Sequence, residues 1–315
     1  MTTSSAMFRL MPSAPWPDVP FLGRIWLAIP RRIRLVMYRF IWWTMDKIYP
    51  HRLITTRVRR ILPGVYLKHG TIRASEPYAM ALLRRYTKLQ SSIALDYIAC
   101  ESPSGKNIEE RDTIAYLLMT AVPGKRLMDV EDTLTPDQIT AIGLELRQYL
   151  TDMHMIPNPY KYGLCSPAGG GLDAPLFTSE KYDIPPFDDT RSFHQWLRDC
   201  MGRHWPVMQP RVQPIFSKYD DQQPVFSHGD LSADNIMVHN GRLSGLIDWE
   251  TAGWMPPYWD YVCARWDYSP ACKTIVRLAI PEHEDREKYE MMVSAGVSRD
   301  HDPAIFDSFE TTDLI

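Results

Sequence analysis

The sequence is poor in several features that define whole protein classes. Cysteine occurs only five times, at positions 100, 165, 200, 263 and 272, with no Cys-x-x-Cys pair. That spacing offers neither a zinc site nor a disulfide framework. No Asn-x-Ser/Thr acceptor occurs, and the first 20 residues lack a basic start followed by an apolar run. No secretory signal is therefore expected, and a reducing, cytoplasmic location is the default. Long apolar runs are missing as well. The apolar stretch near 25–45 is broken by Arg31, Arg32, Arg34 and Arg39, which argues against a spanning helix. No Gly-x-Gly-x-x-Gly is present. Acids are scarce at the start: residues 1–70 hold 12 Lys/Arg against Asp18 and Asp46, a net +10, whereas the remainder holds 23 basic against 36 acidic residues, a net −13. Such an acidic main body excludes a purely nucleic-acid-binding protein.

What is present is an ordinary globular composition. Of 315 residues, 45% are hydrophobic and 23% charged, which suits two domains or two lobes with substantial cores. The 26 prolines predict many loops and turns. Residues 1–23 show little periodicity. Residues 31–48 read as a helix with Leu35, Met37, Tyr38, Ile41, Trp42 and Met45 on a buried side and arginines opposite. Such a basic, aromatic helix either docks on the chain's own acidic body or makes a weak contact with a membrane surface.

Strand character follows. Residues 57–62 and 65–68 flank the turn signal Pro63-Gly64. Ser75 reads as the N-cap of a helix to about Tyr86, and Ile114–Met119 as a buried strand. Thr135-Pro136-Asp137-Gln138 is a capping box with Pro at the first helical position. It opens an apolar face of Ile139, Ile142, Leu146, Tyr149, Leu150 and Met153. Residues 157–190, rich in Pro and Gly, read as a long loop, and a helix is expected around 191–207.

The chemistry concentrates between Val225 and Glu250. Asn240-Gly241 between two apolar runs predicts a tight hairpin. A two-residue turn pairs His239 with Arg242 and therefore Asn235 with Leu246, leaving Asp248 two residues beyond that pair. Asn235 and Asp248 then emerge at the same open end of the hairpin, with Asp230 in the loop feeding that end. Two carboxylates and an amide oxygen at one place suit a hard divalent cation such as Mg²⁺. A carboxylate among them that is left off the cation can orient a hydroxyl and take its proton, which is the economy of phosphoryl transfer.

His228-Gly229-Asp230, Asn235 five positions after the Asp, and Ile247-Asp248-Trp249-Glu250 together resemble the aminoglycoside phosphotransferase family. Ala252-Gly253-Trp254 and Tyr258-Trp259 resemble its fungal branch. The likeness covers roughly residues 55–270. It implies an α+β, two-lobed protein-kinase-like fold, with a small β-rich nucleotide-binding lobe over 50–120 and a mostly helical catalytic and acceptor-binding lobe over 121–315; the basic extension over 1–49, with its amphipathic helix, precedes them. It also implies that Asp230 is the catalytic base and that Asn235 and Asp248 hold Mg²⁺. Lys68, ending a strand, and Glu76, opening a helix, match the lysine that holds ATP phosphates and the carboxylate that fixes it. The run from Leu117 to Gly124 resembles the linker between lobes, whose backbone meets adenine near Thr120, Ala121 and Val122.

The expected activity is ATP- and Mg²⁺-dependent phosphorylation of a hydroxyl on a small molecule. Two alternatives share the same residues: a nucleotide-binding pseudokinase, and an enzyme that activates an alcohol for elimination. His228 reads as a hydrogen-bonded scaffold residue, and Trp254, Tyr258 and Trp259 as core. Asp260, Asp267 and Glu282 read as solvated acids, with attraction of a cationic substrate as the alternative.

Overall fold

In the computed structural model of this chain, residues 21–48, 57–100, 114–172, 184–202, 205–264 and 269–281 are described. They divide into two compact units, residues 1–122 and 123–315. Asp267, Glu282 and most of the irregular start lie outside the described residues.

The first unit is built on a four-stranded antiparallel sheet in the order β1 (Val58–Leu62), β2 (Val65–Thr71), β4 (Ile114–Thr120), β3 (Ala94–Ala99). Pro63-Gly64 makes the β1–β2 turn, and Gly64 takes the left-handed φ of +75° that such a turn requires. Successive strand residues face opposite sides, so the period of two divides β2 cleanly. Leu67 packs with Tyr38, Tyr116, Leu118 and Ile98 on one face, while its neighbour Lys68 meets a helix carboxylate. That helix, α3, runs Ser75–Tyr86. Ser75 is its first residue rather than its cap. Ala74 occupies the cap position without a side-chain bond, and the first turn keeps the acid Glu76 favoured by the helix dipole.

The basic segment forms two helices, α1 (Phe21–Ala28) and α2 (Arg31–Ile48). Both contribute side chains to the cluster on the Leu67 face of the sheet. Tyr38 is fully buried there. Its hydroxyl donates to Asp96 Oδ2 at 2.6 Å and accepts from Trp26 Nε1 at 2.7 Å. Arg34 completes the group through an ion pair with Asp96. Burial and the adjacent carboxylate push the Tyr38 phenol far above its ordinary value, so it remains a donor. Docking on the body is thus observed, on the chain's own sheet. The buried side differs from expectation at two places: Arg34 is buried and Met37 is exposed. The acid Asp96 makes the arginine tolerable inside.

The second unit carries the long helix α4 (Pro136–His154), opened by the expected capping box between Thr135 and Gln138. It packs along α8 (Pro270–Ala279). Gly143 permits that approach, since a Cβ there would lie 2.7 Å from the Leu278 Cβ. Two helices, α5 (Thr190–Met201) and α6 (Trp205–Tyr219), stand where one was expected. The chain turns at Gly202, whose φ is +49°. Pro210 and Pro214 lie inside α6 and hide its helical pattern in the sequence. Two small sheets complete the unit. β5 (Lys125–Arg126), β7 (Ile236–His239) and β8 (Arg242–Leu246) form one, and β6 (Val225–Ser227) with β9 (Gly253–Met255) the other. Among the described residues no helix is long and apolar enough to cross a membrane.

Two ion pairs of the first unit each hold a buried arginine but differ in the exposure of the acid and in the bonds the arginine keeps. Asp96→Leu leaves Arg34 buried without its carboxylate and should cost about 3–5 kcal/mol in urea unfolding. Asp46→Ala breaks the Arg59–Asp46 pair, whose acid is half exposed but whose arginine is buried; Arg59 keeps its bond to the Trp42 carbonyl and its place over the Trp42 ring, so the loss should be about 1–3 kcal/mol.

Candidate active site

The second unit holds the three residues singled out around the hairpin. Asn240 and Gly241 both have left-handed φ, 52° and 73°, as a two-residue turn demands. His239 pairs with Arg242 as expected, but the register then shifts. Val238 faces Leu243 and Met237 faces Gly245, so Ser244 is an extra residue on β8. This bulge corrects the expected pairing of Asn235 with Leu246: Ile236 takes that place. Asn235 instead accepts from the Ile247 amide at 3.0 Å. Asp248 therefore follows one residue beyond Asn235's partner, not two. The Ser244 hydroxyl donates to the Pro123 carbonyl, which anchors the bulge. Nothing in the alternating pattern of the sequence announces an inserted residue.

Asp248 itself has φ 65° and ψ 69°. A non-glycine residue in that region costs roughly 1–2 kcal/mol, and such strain clusters at functional sites. Immediately after it Trp249 is fully buried, with its indole N–H directed to the Leu246 carbonyl at 3.3 Å.

Asp230 follows β6 in a loop held from several sides. Gly229 has φ +79°, and a Cβ there would lie 2.6 Å from the Thr251 carbonyl oxygen, so only glycine fits. The Gly229 amide donates to Asp260 Oδ1 at 2.8 Å. The Thr251 hydroxyl donates to the His228 carbonyl at 2.9 Å. His228 is completely buried. Its Nε2 donates to the Ile247 carbonyl at 2.9 Å, and its Nδ1 accepts from the Asp230 amide at 3.2 Å. Both bonds suit one neutral tautomer, and burial lowers the imidazole pKa to about 4. His228 is thus the scaffold residue expected. It ties the Asp230 loop to the strand end that carries Asp248.

Asn235 closes the arrangement. Its amide nitrogen donates to the Asp230 carbonyl at 2.9 Å and to Asp230 Oδ2 at 3.0 Å. Both amide hydrogens are committed to Asp230, so oxygen is the atom Asn235 can offer a cation. Asn235 and Asp248 can thus offer a cation only oxygens, the donor chemistry that suits a hard ion such as Mg²⁺ better than a soft one.

In the first unit, Lys68 Nζ lies 3.0 Å from both Glu76 carboxylate oxygens, and both residues are buried. The short loop between β2 and α3 lets residues eight apart meet. A buried ion pair is weak evidence for stability, since desolvating two charges offsets their attraction. Thr120 and Ala121 have committed amides: Thr120 donates to the Ile93 carbonyl at 3.0 Å, and Ala121 to the Gly64 carbonyl at 2.9 Å. Val122 is buried.

One acid near the site differs from its expected placement. Asp260 is buried rather than solvated, lying in α7 (Trp259–Cys263), where every residue is buried. Its signal was available: a lone acid inside the apolar run Tyr258-Trp259-Asp260-Tyr261-Val262-Cys263 has no solvent face. Trp254, Tyr258 and Trp259 are core, as expected.

The chain is similar to known proteins. The model of the phosphotransferase enzyme family APH matches residues 72–287, more than half of the chain. The chain belongs to this family. An aminoglycoside 3'-phosphotransferase of Enterococcus faecalis is 28% identical over 167 residues, covering 52% of this chain and 58% of that protein. The chain thus spans under two thirds of that relative's length. A thermostable mutant of aminoglycoside phosphotransferase APH(4)-Ia, in a ternary complex with AMP-PNP and hygromycin B, superposes with a TM-score of 0.50 at 13% identity, covering 85% of this chain and 93% of that one. Aminoglycoside 2'-phosphotransferase-IIIa in its GDP complex does so with 0.50 at 15% identity, covering 83% and 87%. At such identities the likeness shows the fold: the α+β kinase-like fold expected from the sequence, built as two units.

Asp260 generates a pH prediction. Burial raises its carboxyl to about 7, against the downward pull of the Gly229 and His228 amides. The folded chain keeps this proton up to about pH 7, whereas the unfolded chain releases it near pH 4. Folding stability from this group is therefore full below about pH 4 and lost as pH rises through about 7. Asp260→Asn removes that contribution while keeping an acceptor for Gly229. The fall in Tm between about pH 5 and pH 8 should be smaller in the variant than in the parent.

Proposed function

We propose that this chain is an ATP- and Mg²⁺-dependent phosphotransferase acting on a hydroxyl of a small molecule. The observation that carries the reading is the Asp230–Asn235 hydrogen bond at the hairpin end that leads into the strained Asp248. A structural turn has no need of a carboxylate held at Oδ2, a cation-ready amide oxygen and a left-handed aspartate within one short ribbon. Membership of the phosphotransferase family supports it, and so does the AMP-PNP bound by the APH(4)-Ia neighbour.

The proposed roles are as follows. Asp230 orients the acceptor hydroxyl and takes its proton as the hydroxyl oxygen bonds to the γ-phosphorus and the bond to the β-phosphate oxygen breaks, releasing ADP. Asn235 holds Asp230 Oδ2 in one orientation through its amide nitrogen. Asn235 Oδ1 and the Asp248 carboxylate are the ligands for Mg²⁺, which when bound neutralises phosphate charge. Lys68, steadied by Glu76, holds phosphate oxygens. Since the Thr120 and Ala121 amides are committed, an adenine would meet the Val122 amide and the carbonyls of this stretch.

The test is a metabolite-extract screen with labelled ATP, followed by mass identification of the phosphorylated product. Asp230→Asn should lower turnover on that acceptor by ~10²–10⁴-fold with ATP affinity within a few-fold of the parent. Near-parental turnover would remove Asp230 from the role of base. Lys68→Ala should weaken nucleotide binding and turnover together. Calorimetry of ATP binding should show a dependence on Mg²⁺ that Asp248→Asn abolishes; equal binding in EDTA would count against the metal ligands. Mg-ATP binding without a product in the screen would favour the pseudokinase.

A further inference from the structure

Helix α2 (Arg31–Ile48) is apolar on two opposite sides. One side, with Tyr38, Leu35, Ile41 and Trp42, packs on the sheet of its own unit. The other side carries Ile33, Val36, Phe40 and Trp43, all more than half exposed. Their spacing of three, four and three residues places them along one stripe. Two apolar sides on one helix call for two partners, yet the sheet covers only one side of this one. Scattered exposed apolar residues need no explanation, but a contiguous row on one helix face marks an interaction surface.

Charge indicates what covers it. Arg32 and Arg39 are exposed on α2, and so is Lys47 near its end. The single acid of the helix, Asp46, is paired with Arg59. Arg34 is turned inward to Asp96. Among the described residues of α2, the outward side therefore offers aromatic and aliphatic side chains bordered by cations, and the helix's one acid is turned to Arg59. A second copy packing symmetrically on this stripe brings like charges together, because an isologous contact sets the same patch against itself. An anionic lipid surface offers the complement: headgroup charge for the arginines and the acyl boundary for Phe40 and Trp43, tryptophan being favoured at that depth.

We propose that the outward face of α2 docks on an anionic phospholipid surface. The helix then lies in the plane of the interface, with its opposite side still held by Tyr38 and Asp96. The proposal is independent of the phosphotransferase reading, and its test needs no substrate.

The experiment is co-sedimentation of the intact protein with vesicles of phosphatidylcholine alone and of phosphatidylcholine with phosphatidylserine. Phe40→Ser/Trp43→Ser and Arg32→Glu/Arg39→Glu are compared with the parent. All four side chains are exposed, so an unchanged thermal transition verifies the fold of each variant. The parent should bind the phosphatidylserine vesicles at least about ten-fold more tightly than the neutral ones, with binding weakened by salt. Each double variant should lower that binding by about ten-fold or more. Failure of the parent to bind phosphatidylserine vesicles overturns the proposal, as does parental binding by both variants. A dimer in solution that Phe40→Ser/Trp43→Ser converts to a monomer, without vesicle binding by the parent, assigns the face to a second copy instead.

Discussion

Burying the His228-Gly229 turn forces each of its polar groups to find a partner inside the protein, and the second unit is arranged around that demand. An unpaired polar group there costs on the order of 1–3 kcal/mol. The partners come from three places: the Ile247 carbonyl at the end of β8, Thr251 in the turn after Asp248, and Asp260 in α7. Each bond joins the Asp230 loop to a different piece of chain. The position of Asp230 relative to Asn235 and Asp248 is thus set by hydrogen bonds beneath it, made by residues that take no part in the proposed reaction.

The same economy of faces shapes the first unit. Alternation along β2 sends Leu67 to the side covered by α1 and α2, and Lys68 to Glu76. The helix side of the sheet buries an arginine and an acid together, which is tolerable only because Tyr38, Trp26 and Arg34 converge on one carboxylate. The helix that covers the sheet on one side and leaves a row of apolar residues outward is the point where packing within the unit and the proposed lipid contact meet.

Much of the site was legible because its residues lie close in sequence. Asp230, Asn235 and Asp248 fall within one loop and one hairpin, and Asn240-Gly241 dictates that hairpin through its left-handed turn. The capping box at Thr135 and the strands around Pro63-Gly64 were legible for the same reason: local chemistry settles them. The misreadings have a common cause. The bulge at Ser244, the inward turn of Arg34, the exposure of Met37 and the burial of Asp260 each depend on a partner distant in sequence. Helix α6 was hidden by its own prolines, whose cost the surrounding core offsets.

The sequence by itself determined the element types near strong local signals, the family, and the set of residues that carry the proposed chemistry. Those follow from side-chain chemistry and short spacings, which are written directly in the chain. Only the tertiary structure decided the register at the hairpin end, the strained backbone of Asp248, and the anchoring of the Asp230 loop by Asp260. It also decided which side of α2 is covered. A register, a strain and a burial are differences between alternatives of similar local energy. The packing of distant segments chooses among them, because only there does each polar group meet its partner or lose it.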